Sequence, residues 1–245
     1  MSRKKLRTIG ILGGMGPEAG VRFAEEIVKA CGVGRDQGHP PVVLYSLPQV
    51  PDRTEAILHG GPDPVPAIRR GLSVLNRAGA DFAVISCISA HYFWPRFAPR
   101  SPLPLFSLID ETLIALQRLR PSPQKLGLIA TTGTVRSGVL ARPFEAAGFS
   151  IIVPSAKSQA RVMAAIYGTK GVKAGVTAGP PRDALLKVAR ELVRSGAEAV
   201  IAGCTEVPLV LRPADLPVPL LDPMVLGARE AVRRSGAPLR RGADS

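Results

Sequence analysis

The stretch RAGADFAVISC at residues 77–87 is matched by RSGAEAVIAGC at residues 194–204, and both stretches end on a cysteine. The same separation of 117 positions aligns IGIL at residues 9–12 with LGLI at residues 126–129. Within each long stretch a glycine ends a helix, and a short apolar strand then delivers the cysteine at its carboxyl end. The sequence therefore predicts a duplicated chain with equivalent thiols in its two halves.

Strand and helix patterns alternate along both halves. Apolar runs predict strands at residues 8–12, 42–47, 82–86, 105–108, 125–129, 149–153, 199–202 and 218–221. Helical spacing predicts helices at about residues 17–31, 64–78, 111–119, 137–147, 159–167, 182–195 and 224–234. Such alternation is typical of parallel sheets covered by helices on both faces. We therefore expect an α/β fold of two similar parallel-sheet domains, the first formed by residues 1–108 and 216–245 and the second by residues 109–215.

Length and composition limit the class of protein. The 245 residues suit two domains of ordinary size, and 46% hydrophobic with 21% charged residues is enough to form a core. No apolar run reaches the roughly 18 residues of a spanning helix, and the basic start at residues 3–7 leads into a glycine-rich stretch rather than a secretory signal. Three cysteines are too few for a disulfide scaffold. We expect a soluble, cytoplasmic protein without a membrane partner.

The formal net charge of +13 raises the question of nucleic-acid binding, since basic residues gather at residues 3–7 and again at residues 233–241. Aromatic residues make up only 4% of the chain and are not interleaved with the basic ones, and no nucleic-acid-binding motif occurs. Basic helix faces and tails also maintain solubility and attract anionic substrates. We therefore expect no nucleic-acid partner.

The turn at residues 10–16, GILGGMG, follows the first predicted strand. Its spacing matches neither the dinucleotide-binding fingerprint nor the P-loop. A helix that begins beside such a turn can still hold a carboxylate. The sequence leaves two interpretations open for this turn, contact with an anion and a purely structural role.

The paired cysteines, Cys87 and Cys204, are the strongest candidates for chemistry. If a helix begins after each strand, its N-terminus lowers the pKa of the thiol and favours a reactive thiolate. The alternative is that both are ordinary buried cysteines, which behave as small hydrophobic side chains. Matched positions in a duplicated unit favour chemistry, whereas Cys31 has no counterpart and is expected to be structural.

Several blocks of the sequence together resemble the cofactor-independent aspartate/glutamate racemases. These blocks are IGILGGMGPEA at residues 9–19, PDRT at 51–54, the segment from Cys87 to His91, AIYG at 165–168 with GVKAG at 171–175, and GCTEVPL at 203–209. Glutamate racemases typically carry histidine where this chain has Glu206, so the resemblance is to the aspartate racemase branch. It extends over nearly the whole chain.

This resemblance implies a specific function. Family members are isomerases that bind a small amino acid in the cleft between two α/β domains and interconvert its enantiomers. One cysteine of each domain flanks the α-carbon; either one, as thiolate, removes the α-proton, and the other, as thiol, supplies a proton to the opposite face. By the resemblance Cys87 and Cys204 take these roles, no metal ion and no cofactor such as pyridoxal phosphate is implied, and the protein is a homodimer.

The resemblance also implies further site residues. Candidate substrate contacts are Met15, Arg53, Ser89, Lys173 and Thr205. An arginine can hold a carboxylate through two hydrogen bonds, and a lysine can neutralise one as a point charge. His91 and Glu206 lie beside the cysteines and are candidates to assist proton transfer, although for His91 the role of a hydrogen-bonded helix residue is equally open.

One residue departs from the family pattern, because Ile88 follows Cys87 where the family usually has asparagine. Loss of one hydrogen bond in a closed polar site costs roughly 1–3 kcal/mol, or about 5- to 150-fold in binding or rate. The identity of the amino acid, aspartate, glutamate or a related one, is therefore left open. Two other functions are also left open: a dicarboxylic-acid isomerase or decarboxylase of the same superfamily, and a ligand-binding relative without turnover.

Overall fold

The structure, a computed structural model, describes residues 5–240. The basic residues Arg3, Lys4 and Arg241 and the outer ends of the predicted first domain therefore lie outside the described residues. Within residues 5–240 no helix combines the length and the apolar character needed to cross a membrane.

Eight helices and strands form the first half of the described chain. They are β1 (Ile9–Gly13), α1 (Pro17–Ala30), β2 (Val42–Ser46), α2 (Arg53–Leu58), α3 (Val65–Arg77), β3 (Phe82–Ile85), α4 (Trp94–Phe97) and α5 (Leu108–Arg118). The second half contains β4 (Lys125–Ile129), α6 (Thr132–Ser137), α7 (Ala141–Ala146), β5 (Ser150–Ile152), α8 (Ala156–Tyr167), α9 (Pro180–Arg194), β6 (Ala199–Ala202), α10 (Val207–Val210), β7 (Leu220–Leu221) and α11 (Pro223–Ser235). Short 3₁₀ turns, including one at Ser89–Phe93, join some of these elements.

The strands form two parallel sheets with equivalent order, β2-β1-β3 in the first half and β5-β4-β6-β7 in the second. Ile9 pairs with Phe82, and Leu126 pairs with Ala199. Both residues of the second pair lie 117 positions after those of the first, so the duplication extends to the strand register. The predicted α/β fold with two similar parallel sheets is confirmed.

The central strands β1, β3, β4 and β6 are buried almost throughout, as expected when helices cover both sides of each sheet. In β1, Ile9 and Ile11 face one core region, and Leu12 faces another. The first of these regions also receives Leu126 and Leu128 of β4, so one apolar layer is shared by the two sheets. This shared core fixes the halves against each other and thereby positions the ends of their strands.

The outer helices follow amphipathic spacing. In α9 the buried residues Leu185, Val188, Ala189 and Leu192 recur at intervals of three and four, which places them on one face toward the second sheet. Burying one leucine or valine side chain contributes roughly 1.5–3 kcal/mol. This helix ends in the matched stretch that leads into β6 and its cysteine, so the burial of its face sets the start of that strand.

Two local expectations were wrong, and one short helix was not predicted. The predicted strand at residues 105–108 contributes only a single bridge, from Leu105 to Ala83, because α5 already begins at Leu108. The predicted helix at 137–147 is shorter than expected, since Gly138, with a left-handed φ of 65°, ends the preceding helix α6, and α7 begins only at Ala141. The six-residue helix α2 was missed; the side chain of Asp52 accepts a hydrogen bond from the Glu55 amide and caps it.

The last strand and the last helix associate with different halves. The strand β7 pairs with β6 of the second sheet, whereas the predicted domain division assigned residues 216–245 to the first domain. The helix α11 packs against α1 and α5. The predicted boundary therefore separates β7 from its pairing partner, because strand pairing and not chain position decides its sheet. The division into domains otherwise stays a prediction.

Candidate active site

The two cysteines lie just beyond the carboxyl ends of equivalent strands. Cys87 follows β3 after Ser86, and Cys204 follows β6 after Gly203. Both are buried, with 4% and 7% of their surface exposed. They line the same narrow cavity, which lies between the two halves. The carboxyl ends of parallel strands are the usual position of ligand sites in open α/β sheets.

The structure brings most of the residues suggested by the sequence into this cavity. Its lining includes Met15, Arg53, Ile88, Ser89, Lys173, Thr205 and Glu206. His91 does not line it, and Cys31 lies in the apolar core instead. Within residues 5–240, no group of three or more histidine, cysteine, aspartate or glutamate side chains is arranged to hold a metal ion.

Cys87 lies beside a cation. Its Sγ is 3.4 Å from the Ser89 hydroxyl. Burial disfavours the charged form of the Arg53 guanidinium, yet the negative charges of Cys87 as thiolate and of Asp52 raise the pKa of Arg53 above its ordinary value. Arg53 therefore lies close enough to Cys87 for the two charges to interact.

The guanidinium of Arg53 is held by backbone carbonyls. It donates to Val50 O at 3.1 Å, to Pro51 O at 2.9 Å and to Met15 O at 3.3 Å. Its Nε is buried and has no hydrogen-bond partner among the described residues. Arg53 is therefore fixed in place by three of its five N–H donors, and Nε is left without a partner in the described part of the chain.

Cys204 lies beside an anion. Its Sγ is 2.8 Å from Glu206 Oε2, which also accepts a hydrogen bond from the Thr205 hydroxyl. Burial and the Glu206 charge raise the pKa of the Cys204 thiol well above its ordinary value. The expectation that a helix lowers the pKa of this thiol was therefore wrong, because α10 has only four residues and a carboxylate lies closer.

Glu206 is a buried, ionised carboxylate. Its Oε1 accepts hydrogen bonds from Lys173 Nζ at 2.9 Å and from the Gly16 amide at 3.2 Å. Burial alone would raise the pKa of Glu206, but the charge of Lys173 and the hydrogen bonds from Cys204, Lys173 and Gly16 lower it below its ordinary value. The glycine-rich turn thus contacts an anionic side chain, and a Cβ at Gly16 would lie only 3.0 Å from Oε1.

His91 is a buried structural residue. Its Nε2 accepts from the Leu108 amide at 3.2 Å, so Nδ1 carries the hydrogen and donates to the Cys87 carbonyl at 3.0 Å. Burial lowers the pKa of His91 to about 4, which keeps the ring neutral. The ring stacks on Trp94 at a centroid distance of 5.2 Å. His91 therefore positions the segment that carries Cys87 without facing the cavity.

Sequence reasoning did not single out three residues that line the cavity, Thr131, Thr134 and Tyr167. Thr131 follows β4 and caps α6. The hydroxyls of Thr131 and Thr134 lie 3.2 Å apart. The repeat could have indicated Thr131, because its equivalent 117 positions earlier is Gly14. Gly14 belongs to the glycine-rich turn, for which contact with an anion was one of the two open interpretations. Tyr167 lay in a block that carried the family resemblance, but nothing in its sequence context indicated a contact with the other half.

Comparison with known proteins decides the family. The sequence profile described as Asp/Glu/Hydantoin racemase matches residues 12–231. The chain belongs to this family. Racemases are isomerases, so the expected enzyme class and family are confirmed.

Individual relatives agree with this assignment. The chain is 25% identical to the broad specificity amino-acid racemase RacX of Bacillus subtilis (strain 168), over 91% of the chain and 96% of that protein. Its fold is similar to that of the Picrophilus torridus aspartate racemase, with a TM-score of 0.85, 28% identity and 96% of both chains covered. The glutamate racemase of Campylobacter jejuni subsp. jejuni shares the fold at a TM-score of 0.68 and 16% identity, over 96% of this chain and 88% of that one.

Proposed function

We propose that this member of the racemase family is a cofactor-independent amino-acid racemase that uses Cys87 and Cys204 as opposed acid and base at the α-carbon. The observation that carries the proposal is the pairing of the two thiols. They occupy equivalent positions of the duplicated halves and line one cavity, and one lies beside a cation while the other hydrogen-bonds to an anion.

The charges around the thiols define the proton transfers. Cys87, as thiolate beside Arg53, takes the α-proton of the bound amino acid, and its Sγ becomes a thiol. Cys204 gives its thiol proton to the opposite face of the α-carbon and becomes a thiolate. The electron pair left by the first proton forms the new C–H bond, so the configuration inverts. The reverse direction starts from the Cys204 thiolate.

The developing carbanion needs electrostatic stabilisation, since the α-proton of an amino acid is far less acidic than a thiol. The free Nε donor of Arg53 and the ammonium group of Lys173 supply positive charge within the cavity. Fixed donors in a site that excludes water stabilise such charge without reorganisation. We therefore assign both cations to carboxylate groups of the substrate, and Met15, Ser89 and Thr205 to further substrate contacts.

The substrate in this proposal is aspartate, glutamate or a related amino acid. The cavity side chains include two cations, Arg53 and Lys173, and one carboxylate, Glu206, and this excess of positive charge favours a substrate with negative charge. Ile88, only 2% exposed and beside Cys87, adds an apolar wall where a polar side chain would bind a second polar group. RacX, a relative of comparable length, is named for broad specificity. We infer a site that accepts acidic amino acids and less polar ones of similar size.

Assembly and location are part of the same proposal. We propose a cytoplasmic homodimer, as the family resemblance implies. Sedimentation equilibrium of the purified protein tests the assembly: a mass of twice 25.8 kDa is expected, and a single protomer mass at all concentrations contradicts it.

The test of the proposed function is a screen for α-deuterium exchange. Single enantiomers of acidic and neutral amino acids are incubated with the protein in D₂O, and deuterium at the α-carbon and inversion are measured. We expect inversion of at least one amino acid, reduced about 10²- to 10⁴-fold in both Cys87→Ala and Cys204→Ala.

Cys31→Ala is the matched control, because Cys31 is buried outside the cavity. Its activity is expected to equal that of the wild type. Absence of exchange across all the amino acids contradicts the proposal. Tight binding without exchange indicates a ligand-binding relative, and a covalent cysteine adduct with a dicarboxylic acid indicates the other enzymes of the superfamily.

A further inference from the structure

Tyr167 and Asp52 connect the two halves at the rim of the cavity. The Tyr167 hydroxyl donates to Asp52 Oδ2 at 3.0 Å, across 115 positions of the chain. Tyr167 lines the cavity and is also 38% exposed, which places it where the cavity meets solvent. Burial raises the pKa of Tyr167, so the neutral hydroxyl persists as the donor.

Asp52 has a second function. Its Oδ1 accepts from the Glu55 amide and caps α2, whose first residue is Arg53. The Tyr167 hydroxyl therefore binds the side chain that fixes the start of the helix carrying a cavity cation. On its other side, the Tyr167 ring lies 5.4 Å from Lys173 Nζ, a cation–π distance.

A second contact between the halves lies beneath this one. The Thr54 hydroxyl is 3.4 Å from that of Thr131 and 3.5 Å from that of Tyr167. Both threonines are buried, with 5% and 3% of their surface exposed. These contacts join the halves beside the cavity that holds the thiols, and the most exposed of them is the hydrogen bond from Tyr167 to Asp52.

We propose that Tyr167 and Asp52 form a gate, a hydrogen bond across the mouth of the cavity that opens to admit substrate and closes over it. Its role in turnover rests on the proposed racemase function. Closure aligns Arg53 and Lys173, one from each half, and keeps water from the carbanion. Tyr167 and Asp52 are positioning residues, since neither exchanges a proton with the α-carbon.

The gate is tested by the accessibility of the thiols, which requires no turnover. Wild type and Tyr167→Phe are treated with iodoacetamide, and the labelling rates of Cys87 and Cys204 are measured by peptide mass spectrometry relative to Cys31. The phenylalanine keeps the ring against Lys173 and removes only the hydroxyl. We expect both relative rates to rise about two- to tenfold, the ratio that loss of one hydrogen bond gives.

The control is Tyr92→Phe, which removes the hydroxyl of a tyrosine that is 45% exposed and does not line the cavity. Its relative rates are expected to equal those of the wild type. Relative rates that stay unchanged in Tyr167→Phe, or that rise equally in Tyr92→Phe, overturn the gate. Scaling to Cys31, which is fully buried in the core, removes the effect of any general loosening of the fold.

Asp52→Ser tests whether Asp52 is the hydrogen-bond acceptor that holds the Tyr167 hydroxyl. Serine retains the helix cap but is too short to reach Tyr167. This variant is expected to label as fast as Tyr167→Phe, and the double variant no faster; rates that multiply in the double variant overturn the gate. Faster labelling without α-deuterium exchange in the wild type would support the gate and contradict the racemase proposal, so the two failures are distinct.

Discussion

The two thiols lie at equivalent positions of the repeat, yet their surroundings are opposite. The residues two positions after the cysteines, Ser89 and Glu206, are also separated by 117 positions. Ser89 places a neutral hydroxyl beside Cys87, where Arg53 supplies positive charge. Glu206 places a carboxylate beside Cys204, and this charge together with burial raises the pKa of the Cys204 thiol. The duplication thus provides a symmetric framework, and a few side chains place a cation beside one thiol and an anion beside the other.

The largest expected effect comes from breaking the ion pair on the Cys204 side. Lys173→Met leaves Glu206, only 3% exposed, without its charged partner. Removing one member of a buried pair costs about 3–5 kcal/mol. Urea unfolding of this variant is expected to show that loss. Lys170→Met, which changes an exposed lysine nearby, is the control, and an equal loss in both variants contradicts the assigned role of the pair.

The next effect is a pH dependence that belongs to the Cys87 side. His91 is neutral in the folded protein because burial lowers its pKa from 6.5 to about 4, whereas position 208, its equivalent in the repeat, is proline. Between these pH values the unfolded chain binds the proton and the folded one does not, so stability falls as pH decreases. The free energy of unfolding is expected to decrease by about 3 kcal/mol between pH 7 and pH 4 because of His91.

Urea unfolding of wild type and His91→Gln between pH 7 and pH 4 measures this contribution. The variant is expected to be less stable at pH 7 and to lose less stability as the pH decreases. Equal pH slopes in the two proteins contradict a neutral, buried His91.

A smaller effect sharpens the contrast between the thiols. Glu206→Gln removes the charge that helps to raise the pKa of Cys204, so iodoacetamide is expected to label Cys204 several-fold faster near neutral pH, with the onset shifted to lower pH. Ser89→Ala is the matched change beside Cys87 and leaves Cys204 labelling as in the wild type. If Cys204 labels no faster in Glu206→Gln, the carboxylate does not control its protonation.

The smallest effect concerns the contact between halves. A Cβ at Gly133 would lie 3.0 Å from both Cα and Oγ1 of Thr54, so Gly133→Ala displaces α6 from α2 by a few tenths of an ångström. We expect a loss of about 1 kcal/mol in stability and a higher KM with little change in kcat. Gly34→Ala is the control, because a Cβ at Gly34 meets no neighbour within 4 Å, and this variant should leave stability and KM unchanged. Gly148→Ala is unsuitable, because Gly148 has a φ of 92°.

The sequence was most informative where structure is local or repeated. The repeat of 117 positions predicted both parallel sheets and placed both cysteines at equivalent strand ends, because strand registers follow the same apolar pattern. The helix α2 was also accessible, since Asp52 followed three residues later by Glu55 is a capping signature. Its short length hid it among loop residues.

The electrostatics of the site could not be predicted in the same way. The bonds from Lys173 to Glu206 and from Tyr167 to Asp52 join positions 33 and 115 apart and depend on how distant elements pack. A helix terminus was expected to lower the pKa of Cys204, but its neighbour in the chain, Glu206, has the opposite effect. The pairing of β7 with β6 likewise depends on packing that composition does not reveal.

The central claim, inversion by two opposed thiols, is tested most directly by the position of deuterium early in turnover. A single enantiomer of the substrate found in the screen is incubated with wild-type protein in D₂O, and both enantiomers are separated after a small fraction has reacted. With two thiols, the product carries solvent deuterium at its α-carbon while the recovered starting enantiomer stays largely protiated. A product that retains the substrate's own α-proton would mean that one group both removes and returns it, and would contradict the account.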